Sequence, residues 1–323
     1  MADLTAPFKA AEDPSPYDLT PMVESWLRSL RARNLAQRTI HIYGHAARGF
    51  TAHLLAYTPE LDAKPAPEDL FDIHREHVES YITKLLATTK PATAHQQFRS
   101  LKTFFTWLVD EEEIDRSPMR TMKPPQLGEQ EVPIIPTDAL KRLLKVATGK
   151  DFESRRDTAI LMMFLDTGVR LSELTVRDIR HVDLDLMVFM VVGKGNKERS
   201  VPFGRATTQV LDRYFRAYQK HIGRPLRPED PLWIGIKTKQ RFTIWGVGQV
   251  VGRRAEQAGL GHIHPHQFRH TLAHMWKVGG GNEDALMRIM GWRSREMLQR
   301  YGASAADERA KIQHRDLSPG DQL

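Results

Sequence analysis

The chain has 323 residues, more than one ordinary core of roughly 150 residues accommodates, so two domains are expected. It holds no cysteine, which excludes disulfide scaffolds, thiolate metal sites and thiol catalysis, and no apolar run approaches the roughly 20 residues of a membrane span. The net charge of +7 is unevenly spread: residues 1–136 are net −4 and residues 137–323 net +11, a balance suited to a polyanionic partner such as nucleic acid, though ordinary basic proteins share it.

Residues 1–18 read as a flexible leader, without the basic start or apolar core of a secretory signal. Residues 19–114 read as a small helical bundle. Met22, Val23, Trp26, Leu27 and Leu30 recur at helical spacing over residues 20–33, and Ile40, Tyr43, Phe50 and Leu54 do so over residues 37–55. Two further helices are expected near residues 74–87 and 91–109, the second opened by Pro91. Residues 115–136 hold five prolines with little periodicity and are expected to be an extended linker.

Residues 137–323 form the second expected domain. Thr137 and Asp138 are the expected N-cap region of its first helix, and a second helix stops at Gly168. The period then changes: LMVFMVVGKGNKERSVPF reads as a β-hairpin with Gly195-Asn196 in its turn. Helices resume near 207–222 and 244–258, followed by short ones at 266–278, 283–291 and 295–301 and an amphipathic piece at 305–314. The fold class is thus mostly α with a small β-hairpin or sheet.

Four clusters carry potential chemistry. In DTGVRLSEL, a glycine stop is followed two residues later by Arg170, placed on a fixed turn that suits an anion clamp; taken alone, a plain helix end with a surface arginine is the more ordinary reading. In VVGKGNKERSVPF, Lys194 sits at a hairpin tip, able to reach a groove or protonate a leaving oxygen, with Lys197 and Arg199 keeping the tip basic; a solvated turn reads the same way. HIHPHQFRHTLAH places His266, Arg269 and His270 near one helical face, a set that suits phosphate, a buried histidine pair, or metal. Metal is the weaker of these, because Gln267 stands where a metalloprotease helix has glutamate and Arg269 would repel a cation. In MGWRSREMLQRYG, Trp292 and Tyr301 lie nine residues apart; such aromatics are ordinarily core, and a tyrosine becomes a nucleophile only when its proton is removed.

The succession of these clusters is more specific than any one of them. Arginine, a hairpin lysine, His-x-x-Arg-His opening a helix, Gly-Trp, then tyrosine resembles the tyrosine recombinase (phage integrase) family over about residues 137–315. The helical first part is similar to that family's core-DNA-binding domain, and VVGKGNKERSVP is similar to the Xer-type members. Trp292 departs from the histidine of most bacterial members and matches the Cre-like branch, leaving a single indole donor there. The short leader fits the simple two-domain type.

The resemblance implies a core-DNA-binding bundle and a catalytic domain forming a clamp around DNA. It implies strand cleavage through a 3′-phosphotyrosine and exchange through a Holliday junction, without metal, ATP or other cofactor. Tyr301 would be the nucleophile, Arg170 and Arg269 the phosphate clamp, Lys194 the general acid, His266 the aid to proton transfer and Trp292 a phosphate contact. Glu173 and His270 would brace them. DNA-facing candidates are Arg38, Thr39, His45, Arg48, Arg99 and Lys102 in the first part and Lys197 and Arg199 in the hairpin. The implied partners are double-stranded DNA with inverted-repeat core sites and a homotetramer formed by exchange of the C-terminal helix, in a cytoplasmic, nucleoid-associated setting with no membrane. Three other readings stay open on sequence: type IB topoisomerase-like relaxation, a catalytically silent DNA-binding protein of this fold, and a histidine-based metal hydrolase, which would lack carboxylates near its histidines.

Overall fold

The computed structural model describes residues 17–59, 63–128, 133–192, 198–299 and 302–322. The chain divides into two compact units, residues 1–130 and 131–323. Among the described residues, no helix is long and apolar enough to cross a membrane.

The first unit is built from α1 (Thr20–Ala32), α2 (Gln37–Leu55), α3 (Arg75–Thr88) and α4 (Pro91–Asp110), close to the spans the periodicity predicts. Each helix turns an apolar stripe inward, and Trp26, Phe50, Phe98, Phe104 and Phe105 fill the centre. Trp26 stacks on Tyr43 at 5.5 Å and tilts against Phe104 at 5.0 Å. Gly49 allows α2 to approach α3: a Cβ there would lie 2.5 Å from the Tyr81 hydroxyl, which instead donates to Gln97 at 2.6 Å. Desolvation pushes that phenol up to about 12, so it remains a neutral donor.

Part of the proline-rich stretch packs. Met119 and Met122 are buried in the first unit, and the Pro125 carbonyl meets His95 Nδ1 at 3.0 Å. Ile135 is buried in the second unit and donates its N–H to Thr271. Apolar side chains between the prolines anchor both ends of a segment whose composition alone looks extended.

The second unit begins with α5 (Thr137–Ala147) and α6 (Phe152–Thr167). Thr137 is the first helical residue, not a cap: Pro136 precedes it and offers no side-chain acceptor. Next come α7 (Leu171–Thr175) and a sheet of β1 (Val182–Asp183), β2 (Val188–Val192) and β3 (Glu198–Pro202). The sheet is antiparallel in the order β1-β2-β3, so the expected hairpin gains a third strand. Phe189 pairs with Val201 and Val191 with Arg199, turning Phe189, Val191 and Val201 into the core. Then follow α8 (Arg205–Ile222), α9 (Ile244–Gln257), α10 (Pro265–Val278), α11 (Glu283–Met290), α12 (Glu296–Gln299) and α13 (Gly302–Leu317).

A buried ionic hub ties α6 to α9. Asp157, fully buried, accepts from Arg156, Arg253 and Arg254, and Arg156 also donates to the Ile234 carbonyl while lying over the Phe242 ring. The helix at the C-terminal end, α13, lies on α10 of its own unit: Glu308 meets His274 at 2.7 Å, and Ala305 is buried.

Candidate functional site

The site is assembled from the ends of helices. Gly168 closes α6 in the left-handed conformation (φ 58°), where a side chain would be strained, and a Cβ there would also press on Leu272 and Met290. This sharp turn delivers Arg170 to the N-cap of α7. The Arg170 backbone N–H and its Nη1 both donate to Glu173, each at 2.9 Å, so one carboxylate fixes the turn and the guanidinium together. The Arg170 side chain remains 47% exposed, and is thereby open to a ligand.

Arg269 is held differently. It is buried on the first turns of α10, where Nη1 donates to the Gly168 carbonyl at 2.7 Å and Nη2 to the Met290 carbonyl. Both acceptors close helix C-termini, where the macrodipole favours a cation. Its guanidinium carbon lies 5.3 Å from the Trp292 ring centroid. One buried fork thus joins the ends of α6 and α11 and lies against the aromatic that follows α11. Trp292 itself is buried with Ala273, Leu286, Met290 and Leu298.

His266 opens α10 beside these groups, its ring edge-on to His270 at 4.4 Å. Desolvation, then the charges of Arg269, His264 and Arg170, hold its pKa below the ordinary histidine value. These influences favour the uncharged imidazole, which is suited to take or pass a proton. Among the described residues, no group of three or more His, Asp or Glu side chains is arranged to hold a metal ion.

Of the sequence-derived candidates, Arg170, Glu173, His266, Arg269, His270 and Trp292 therefore come together. Lys194, Lys197 and Tyr301 lie outside the described residues. Arg199 has a role the sequence reading did not give it. Instead of standing out as a basic hairpin tip, it turns inward: Nη1 and Nη2 bond to the two Glu173 oxygens at 3.0 and 2.9 Å, and Nε donates to the Ile289 carbonyl at 3.2 Å. The strand alternation in ERSVP carried the signal, since it places Arg199 on the same face as Val201. Burial by itself would raise the Glu173 pKa. The bonds from Arg199 and the Arg170 backbone, with the two guanidinium charges, outweigh it and hold the carboxyl at about 2.

The concavity beside Arg170 is lined by Glu198, Arg199, Trp292 and two arginines that sequence reasoning did not single out, Arg288 and Arg293. Both are exposed. In the first unit, Arg38, His45 and Arg48 are exposed on α2 with Thr39 half-buried beside them, and Arg99 and Lys102 are exposed on α4. Arg48 shares its charge with Glu24 at 2.7 Å.

Residues 134–308 match the phage integrase family, and residues 22–115 match the phage integrase N-terminal SAM-like domain. The chain belongs to the phage integrase family. It is a tyrosine recombinase, an enzyme that cleaves and rejoins DNA strands in site-specific recombination. It is 33% identical to tyrosine recombinase XerC of Corynebacterium efficiens over 65% of this chain and 66% of that protein. It is 25% identical to tyrosine recombinase XerC of Shewanella sp. (strain ANA-3) over 91% and 95% of the two chains. The structure of the Tn1549 transposon integrase in complex with transposon right-end DNA shares its fold, with a TM-score of 0.70 over 92% of this chain and 99% of that one at 19% identity. These matches favour the recombinase over the topoisomerase-like and silent-binder readings.

Proposed function

We propose that this recombinase cuts each strand with Tyr301 at a phosphate gripped by Arg170 and Arg269. The phenolic oxygen forms a bond to phosphorus as the bond from phosphorus to the 5′-oxygen breaks, giving a 3′-phosphotyrosine and a free 5′-hydroxyl. Lys194 supplies the proton that the leaving 5′-oxygen takes up, while His266 serves the phenol proton and Trp292 contacts the phosphate. A 5′-hydroxyl from another strand then reverses the step and regenerates the phenol. Two guanidinium forks neutralise the charge that builds on the non-bridging oxygens in the pentavalent transition state. The phosphodiester energy is retained in the covalent link, so joining draws on no ATP.

The observation that carries this reading is the convergence of an exposed, carboxylate-oriented Arg170 at the start of α7 with His266 and a buried Arg269 on the first turns of α10. The substrate is a duplex carrying inverted-repeat core sites, met in part by Arg38, Thr39, His45, Arg48, Arg99 and Lys102, mostly at phosphates. Exchange between two duplexes uses four cuts, hence four copies of the chain on DNA. Exchange of α13 between neighbours would close such a ring.

The test uses a nicked suicide duplex whose cleaved 5′-end diffuses away. The wild-type chain is expected to form a covalent adduct on a denaturing gel, and Tyr301→Phe to bind the same duplex without one. An adduct in Tyr301→Phe would refute the nucleophile assignment.

A further inference from the structure

We infer that Arg199 is a positioning residue that locks together the two elements bearing Arg170 and Trp292, acting through Glu173 on one side and the turn after α11 on the other. The inference rests on the proposed function, which makes Arg170 and Trp292 phosphate contacts.

Arg199 lies on β3, 26 residues from Glu173 and 90 from Ile289 in sequence. Each of its three nitrogens donates. Two run in parallel onto the Glu173 carboxylate, the bidentate geometry in which arginine exceeds lysine, and the third holds the Ile289 carbonyl. The side chain is 16% exposed, so little of it faces a ligand.

Glu173 has two calls on its oxygens. Oε1 accepts from Arg170 Nη1 and from Arg199 Nη1; Oε2 accepts from the Arg170 backbone N–H and from Arg199 Nη2. Without Arg199, the carboxylate could rotate toward Arg170 alone and carry the exposed guanidinium with it. On the far side, Gly291 takes the left-handed conformation (φ 63°), and the Arg199 guanidinium lies flat against it: a Cβ there would stand 3.3 Å from its Nε, Cζ and Nη1. Gly291 immediately precedes Trp292, so the same planar group sets where that aromatic begins. β3, α7 and the end of α11 thus meet at one guanidinium. The low pKa of Glu173 accords with this, because it keeps the carboxylate charged across the working pH range.

The test measures amide hydrogen exchange of the full chain without DNA for wild type, Arg199→Lys and Arg199→Met. In Arg199→Met, residues 170–175 and 289–292 are expected to exchange faster together, by roughly tenfold or more, with α8 unchanged. Arg199→Lys keeps the charge but loses the fork, so it is expected to fall between the two. If Arg199→Met loosens the whole unit, the lysine variant decides: faster exchange confined to the two segments supports the inference. Unchanged exchange at either segment in both variants overturns it.

Cleavage of the suicide duplex supplies the second readout. Misplacing Arg170 by about 1 Å should slow adduct formation by roughly 10²-fold in Arg199→Met, with DNA affinity within about threefold of wild type. The Glu173→Gln/Arg199→Met double variant should be no slower than its slower single. Weakened DNA binding with a salt slope reduced by about one would instead mark Arg199 as a phosphate contact and overturn the inference. Absence of any adduct with wild type would count against the proposed function, while the exchange result would still decide the placement.

Discussion

Replacing Glu173 with glutamine should remove a part of the second unit's stability that depends on pH in a predictable window. In the folded chain the carboxyl is held at about 2 against an ordinary value of 4.5. At about 1.36 kcal/mol per pKa unit, that depression corresponds to about 3 kcal/mol favouring the folded state when the carboxylate is charged in both states. Because the folded pKa is the lower one, this contribution is complete above pH 4.5 and is lost as the pH falls from there through 2. Glutamine has the same shape, but its amide nitrogen would face donors on Arg199 or Arg170, and it carries no charge to titrate. Urea unfolding of wild type and Glu173→Gln, compared at each pH, should show a gap of about 3 kcal/mol at pH 7 that narrows to roughly half of that at pH 3. A gap of the same size at pH 3 and pH 7, or no gap at pH 7, would refute the assignment of Glu173 as a charged brace between two arginines.

Other substitutions probe the remaining supports. Arg269→Met strands two carbonyls at helix ends and should cost about 2–4 kcal/mol in urea unfolding while slowing adduct formation by roughly 10²- to 10³-fold; normal stability would mean those carbonyls find other donors. Asp157→Asn leaves Arg156, Arg253 and Arg254 crowded around a neutral group and should cost about 3–5 kcal/mol; a change below about 1 kcal/mol would show that the hub adds little to stability. By NMR, the His266 ring should titrate below the ordinary histidine value and move upward in Arg170→Gln, which removes one of the charges opposing its protonation. An unshifted titration in both proteins would contradict the placement of His266 beside that arginine.

Local rules made most of the elements legible. The period of apolar residues placed α2 at its observed ends, and the glycine after DT stopped α6 where the chain turns toward Arg170. The third strand was not legible, because two residues, Val182 and Asp183, are too few to show an alternation. Met119 and Met122 escaped notice for a related reason: isolated apolar residues among prolines carry no period, and only the cavity they fill explains them.

The candidate site divides along the same line. Residue types in order, from Arg170 to Tyr301, were enough to suggest the family and its chemistry. By itself the sequence determined most of the helices and their stops, because these follow from interactions within a few residues along the chain, and it supplied the candidate groups in their order. Only the tertiary structure decided what each group does. Arg269 finds its acceptor 101 residues away at Gly168, and Arg199 becomes an internal brace for Glu173 instead of a solvated charge on a turn. A charged side chain is written identically whether it faces water or a buried carboxylate; the partner that decides between them is brought near by folding alone.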